Sequence, residues 1–386
     1  MSRVVAAVAV VAVALAACGG GTDDGDRAQG GGTAGVSAAP DDGEGRTAGG
    51  DDSGTGGSAG GDQATGREGA VTAAELCARA RPVAPAPAVA TVELDETSGV
   101  VASRDHPGVL WAHDDSGGPA AVVAIGPDGA DLGTYPLDGA EATDWEDVAL
   151  APGPDGAADL LVVGDIGDNG AGRDHVTLVV APEPTPAPPA APAPGTGAGA
   201  GAGARATSVA VTGATSVNVT YADGPRDAEA LLADPRTGDV VIVDKDWNGT
   251  GTGAWLVPAV ATGTEPPRTP ASADAEGAAD DTAGGGGASV MAERVGDVAL
   301  PAGQPATGGD VSPDGSLVAL RTYTSVLLWD RPPGSTVAEA LAAGPPCTAP
   351  SARENQGEAV AFTRDGRGYV TISEGAHPAI NRFALR

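Results

Sequence analysis

Polar residues recur in pairs along this sequence. One member stands just before a short apolar run, the other at the end of the next run. The first members are Ser98, Glu146, Glu229, Thr307 with Asp310, and Glu358; the second are Asp114, Asp165, Lys245, Arg321 and Glu374. Glu146, Asp165, Glu229 and Glu358 are hard oxygen donors. Gathered with Asn169 and backbone carbonyls, they suit Ca2+, which takes about six to eight oxygens in loose geometry. Lys245, the only lysine in the chain, and Arg321 would hold an anionic substrate or neutralise the carboxylates. His113, beside Asp114, is the best-suited general base. Each group also has a structural reading: carboxylates at strand starts bond backbone N–H groups of a neighbouring unit.

Other chemistries are excluded by spacing. Asp115-Ser-Gly-Gly-Pro copies part of a serine-protease nucleophile signature, but His113 lies too close in sequence to be its separately placed base. As a turn, the segment needs only glycine's freedom. His106, His113, His175 and His377 lack zinc-ligand spacing. Within residues 71–386, no GxSxG, phosphate-loop or dinucleotide fingerprint occurs. Trp145, inside Asp-Trp-Glu-Asp, reads as a core wedge between units.

The elements that must position these residues repeat five times. The openings are Glu96-Thr-Ser-Gly-Val-Val-Ala, Asp144-Trp-Glu-Asp-Val-Ala-Leu, Asp227-Ala-Glu-Ala-Leu-Leu-Ala, Thr307-Gly-Gly-Asp-Val-Ser-Pro and Gln356-Gly-Glu-Ala-Val-Ala-Phe. Each meets a tight-turn signal, such as Pro154-Asp-Gly or Pro313-Asp-Gly. Second strands are expected at 109–112, 160–163, 240–243, 317–320 and 369–372, and third strands at 121–125, 176–180, 254–257, 326–329 and 380–385. Fourth strands are expected at 131–137, 209–221, 294–300 and 336–341. Repeats of about 40–50 residues with four short strands predict an all-β fold, a β-propeller of five four-stranded blades. Six or seven blades follow only if adjacent strands are being read as one. The fifth repeat runs out after three strands, so residues 88–94 are expected to supply its outer strand and close it. In such a blade, the start of the first strand and the end of the second share one face. The paired polar residues therefore converge around a central channel.

Five pieces, SGVVAS…LWAHDDSG, DWEDVAL…VVGDIGDN, DAEALLADP…VIVDK, GGDVSPDGS…ALRTY and QGEAVAF…GYVTISEG, resemble bacterial extracytoplasmic propellers of the esterase-like phytase and NHL-like type. The doubled acidic motifs of true β-propeller phytases have no clear match. Propellers of this kind host hydrolases, lactonases, calcium binders and scaffolds, so the resemblance implies a fold more than an activity.

The N-terminus begins with Arg3 and a 4–15 apolar run, too short to span a bilayer and suited to a signal peptide. The run ends in Leu15-Ala16-Ala17-Cys18, which resembles a bacterial lipobox; Cys18 would carry the lipid. Residues 1–17 are therefore expected to be a lipoprotein signal peptide. Residues 18–70 would be a lipidated Cys followed by a disordered Gly/Asp-rich tether, and residues 71–386 the propeller. Low-complexity inserts at 182–204 and 262–288 are expected to stay out of its core. Cys77 and Cys347 are expected to form a disulfide in an oxidising compartment.

The formal net charge is −31, most of it carried by the expected folded part. Such a surface repels nucleic acid and favours cations. The expected location is the extracytoplasmic face of a cell membrane, anchored through Cys18. The expected function is binding of a small-molecule or protein ligand on the acidic face, with Ca2+ in the channel. The alternative is a metal-assisted hydrolase of phosphate esters, esters or lactones, with His113, Lys245 and Arg321 as its catalytic groups.

Overall fold

Apolar runs that fill whole strands, rather than alternating with polar residues, signal sheets buried on both faces. The computed structural model has this arrangement. It describes residues 70–90, 94–154, 158–188, 208–246, 251–264 and 288–386. The expected signal peptide, Cys18, the tether as far as residue 69 and the interiors of both inserts lie outside the described residues.

The fold is all-β. It opens with helix α1 (Ala73–Arg79), capped by reciprocal Thr72 and Glu75 hydrogen bonds, and strand β1 (Arg81–Val83). The first four-stranded antiparallel sheet is β2 (Thr97–Ala102), β3 (Leu110–Asp114), β4 (Ala121–Ile125) and β5 (Asp131–Pro136). Next come β6 (Trp145–Ala151), β7 (Leu160–Asp165), β8 (Val176–Pro182) and β9 (Thr215–Tyr221). They are followed by β10 (Ala228–Ala233), β11 (Val240–Asp244), β12 (Thr252–Val257), a short α2 (Ala259–Thr262) and β13 (Ala288–Val298). These two meanders join into one eight-stranded sheet because β13 pairs with β9 in parallel. That sheet nearly closes on itself, its end strands β6 and β10 lying against each other. A further sheet contains β14 (Ala306–Val311), β15 (Leu317–Thr322), β16 (Val326–Asp330) and, after α3 (Val337–Ala342), β17 (Cys347–Ala349). The last contains β18 (Gly357–Phe362), β19 (Gly368–Ser373) and β20 (Asn381–Ala384), completed by β1 on its outer edge.

The first strand of each meander lies against the next: β2 on β6, β6 on β10, β10 on β14, β14 on β18, and β18 back on β2. Apolar clusters fill the spaces between successive meanders. Val101, Trp111 and Tyr135 meet Val148 and Leu161 in one, and Val162 and Leu178 meet Leu231 and Trp255 in the next. Leu161 and Val162, adjacent in β7, therefore serve different clusters. The alternation of side chains along a strand fills both faces.

Backbone groups at the inner edges are tied by buried side chains. The Asp147 carboxylate accepts from the N–H groups of Val148, Leu231 and Gly309, all at 2.9 Å, joining β6, β10 and β14. Asp310 accepts from Val311 at 2.8 Å and Phe362 at 2.7 Å, joining β14 to β18. The Ser98 and Thr307 hydroxyls donate to the carbonyls of Glu146 and Gly357 at 2.7 and 2.8 Å.

Three expectations are corrected. Residues 336–341 are not a fourth strand; Thr336 and Glu339 form a reciprocal cap on helix α3, and the strand is β17. The strand completing the last sheet is β1, whereas Ala88 makes only an isolated bridge with Ala379. The described parts of the inserts are not excluded from packing. Glu183 accepts from Trp111 Nε1 at 2.8 Å, and Thr264 Oγ1 donates to the Gly238 carbonyl at 2.6 Å. Cys77 and Cys347 are disulfide-bonded, with Cα atoms 6.2 Å apart.

Candidate functional site

All five first strands carry a pairing irregularity at the same place. Regular register breaks between Thr97 and Val100, Trp145 and Asp147, Ala228 and Ala230, Ala306 and Gly308, and Gly357 and Ala359. The residues inside these breaks are Ser98 (with Gly99), Glu146, Glu229, Thr307 and Glu358. A β-bulge re-aims the side chain of its extra residue. Four of the bulge residues, all but Thr307, line a cavity of about 110 Å3.

The second strands contribute the residue directly after their last pair. Asp115, Lys245, Tyr323 and Glu374 follow β3, β11, β15 and β19 and line the same cavity, joined by Asn169 and Gln356. Ser98, Glu146, Glu229 and Glu358 are buried, whereas Asn169 and Gln356 are exposed. Gln356 Nε2 donates to Glu358 Oε1 at 2.8 Å. Lys245 Nζ is ion-paired with Glu229 Oε1.

Five carboxylates thus face one lysine on the cavity wall, and their electrostatics reflect it. Burial, then repulsion from Asp144 and Glu96, raises Asp115 to about 7. Burial, opposed by Lys245 and reinforced by Glu374, raises Glu358 to about 8. Glu146 lies well above the ordinary carboxyl range through burial and its neighbours Asp115 and Asp144. One oxygen each from Asp115, Asp144 and Glu146 lies within 4.8 Å of the other two. Gly167 permits this crowding, since a Cβ there would collide with the carboxylates of Glu146 and Asp144. Among the described residues, Asp115 Oδ1 and Glu229 Oε2 are buried without a hydrogen-bond partner. Buried carboxylate oxygens left in that condition are costly unless a proton or cation compensates them. The donor set is oxygen-rich and suits a hard cation such as Ca2+.

The structure brings Glu146, Glu229, Glu358 and Lys245 together but leaves other expected site residues elsewhere. Asp165 accepts from the N–H groups of Thr143 and Asp144, both at 3.1 Å, and pairs with Arg173 at 2.7 Å. It fixes the entry to β6. Arg321 is fully buried and pairs with Glu354 at 2.5 Å. Glu354 also accepts from Thr371 and Asn381, so the pair clamps β15 to the last sheet. His113 is fully buried, edge-on to Trp145, with Nδ1 2.9 Å from the Asp114 carbonyl oxygen. Burial lowers its pKa to about 4, so the ring is neutral near pH 7. Asp114 accepts from Glu96 N–H at 2.8 Å.

Asp115, Asp144, Tyr323 and Gln356 complete the site beyond the residues singled out from sequence. A one-residue rule finds two of them. The position after four of the five second strands faces the cavity, Ile166 after β7 being buried in an apolar cluster, so Asp115 and Tyr323 replace Asp114 and Arg321.

No protein-family model matches the chain, and no curated protein matches it. The functional reading therefore rests on the cavity itself.

Proposed function

We propose that this chain is a membrane-tethered, extracytoplasmic five-bladed β-propeller. Its axial cavity binds a divalent cation, Ca2+ by its donor chemistry, and the acidic face around it receives a ligand. The observation that carries the cation reading is the set of buried carboxylates from successive meanders, with unpartnered oxygens on Asp115 and Glu229. The propeller reading is supported by the closed cycle of first-strand contacts and by the bulge shared by all five. The tether reading is supported by the sequence Leu15-Ala16-Ala17-Cys18 behind a short apolar run.

Metal analysis of purified protein, with melting in EDTA and in Ca2+, tests the cation reading. The expected result is on the order of one bound ion per chain. At about a hundredfold excess over Kd, the ion would add about 2.7 kcal/mol of stability. A folded Glu146→Gln/Glu229→Gln variant should lose both effects. Absence of bound metal together with an unchanged melting temperature would sink the cation reading. The anchor is tested by Cys18→Ala, which should move the protein from the membrane fraction to the soluble fraction.

A second reading, metal-assisted hydrolysis of a phosphate ester, ester or lactone, is favoured by one feature. Asp115, whose carboxyl is raised to about 7 in the metal-free cavity, would serve as general base if Glu146, Glu229 and Glu358 hold the ion without it. Turnover of p-nitrophenyl phosphate, p-nitrophenyl acetate or a lactone, lost in Asp115→Asn, would support it. Binding without turnover would leave the ligand-binding reading standing alone.

A further inference from the structure

The opposite ends of the first strands hold a second, larger cleft of different character. It has a volume of about 610 Å3 and lies where the β2–β3 turn meets the β18–β19 turn. Val109, Leu110 and Val370 form a buried apolar floor. Arg104, Arg364, Arg367 and Arg382 also line it. The whole chain has only 21 Lys and Arg against 52 Asp and Glu, so four arginines in one cleft reverse the prevailing charge.

Most of this positive charge is uncommitted. Arg104 is held by Asp159 at 3.0 Å and by the Leu150 carbonyl at 2.9 Å. The Arg364 Nε donates to the Arg104 carbonyl, which aligns the two turns. Among the described residues, no carboxylate forms an ion pair with Arg364, Arg367 or Arg382. Among the described residues, Asp365 is the only acidic one on the lining. Its carboxylate is engaged by Thr363 Oγ1 at 2.6 Å and by Arg367 N–H at 3.0 Å. Arg382 is half-buried and lies in the field of Asp128. A planar or tetrahedral oxyanion can accept paired N–H donors from such guanidinium groups.

We propose that this cleft binds a small organic anion, a phosphate, sulfate or carboxylate carried on an apolar body, through Arg364, Arg367 and Arg382. The apolar floor selects the body and the guanidinium groups select the head. The site is separate from the axial cavity and does not depend on a cation.

Calorimetric titration in EDTA with phenyl phosphate, inorganic phosphate and benzyl alcohol tests the proposal. Phenyl phosphate should bind more tightly than either, because it alone satisfies both halves of the cleft. Arg367→Ala/Arg382→Ala should weaken it about a hundredfold or more, the scale of two lost charge-assisted contacts. Arg367→Gln alone, a milder change at an exposed position, provides the same test should the double variant not fold. Glu146→Gln/Glu229→Gln should leave this binding unchanged, which separates the cleft from the axial site. Undetectable heat with phenyl phosphate, or equal affinity in the arginine variants, would overturn the proposal.

Discussion

Glu358 and Asp115 are carboxyl groups on a cavity wall that holds a single lysine, and their behaviour sets a pH dependence. Glu358 is raised from 4.5 to about 8, and Asp115 from 3.8 to about 7, burial being the largest cause in each. The folded chain then holds protons that the unfolded chain has already released. In EDTA, these two groups favour the folded state most below their unfolded pKa values. That contribution falls as pH rises from about 3.8 to about 8 and is lost above. On the proposed reading Ca2+ would take the place of the protons, so it should flatten the decline, and its binding near pH 7 should release protons. Melting curves across this range, with and without Ca2+, check the expectation; Glu358→Gln should make the metal-free slope shallower. A metal-free melting temperature that rises from pH 5 to 8 in the wild type, and equally in Glu358→Gln, would contradict it.

At the scale of the element, the inner strands come close enough to share carboxylates because small residues line them. Gly308 and Gly309 in β14 are the clearest case. A Cβ at Gly308 would collide with the Glu358 carbonyl oxygen, and one at Gly309 would lie 2.7 Å from Leu232 Cδ2. Gly308→Ala should therefore cost about 1–3 kcal/mol, the usual range for overpacking. Gly170→Ala, where nothing lies within 4 Å, should be near neutral. Urea unfolding midpoints compare the two directly. The strands themselves were readable because Val- and Leu-rich runs end at Pro-Asp-Gly turns, as at residues 313–315. The helix at 337–342 was misread because its Ala and Leu run is short enough to pass for a strand; the Thr336–Glu339 cap was the overlooked signal. The bulges decided the site. They carry Glu146, Glu229 and Glu358 toward the cavity, but strict alternation cannot show a one-residue shift. Asp114 and Arg321 were chosen from sequence because the apolar runs stop short of the strand ends. Strands β3 and β15 run two residues past those runs, to Asp114 and Thr322; Asp115 and Tyr323, directly beyond them, line the cavity.

At the scale of the molecule, both ends of the folded chain are tied to the last two sheets. Strand β1 completes the sheet of β18–β20, and Cys77 is bonded to Cys347 across 270 residues. The loop-entropy model gives a crosslink of that span roughly 5 kcal/mol. Reduction, or Cys77→Ala/Cys347→Ala, should lower the unfolding midpoint accordingly without altering the far-ultraviolet spectrum. The pairing of Cys77 with Cys347 was expected from export chemistry and from closure of the fifth repeat by the N-terminal segment, whereas the parallel β9–β13 seam had no sequence signal, because it joins strands separated by an insert. The position of the crosslink also has a mechanical meaning. Cys77 precedes β1, so a pull arriving from the N-terminal side enters the disulfide before it reaches that three-residue strand. The load passes to Cys347 at the outer edge of another sheet and bypasses the β1–β20 pair. The β1–β20 seam is thus shielded from tension applied on the N-terminal side of Cys77.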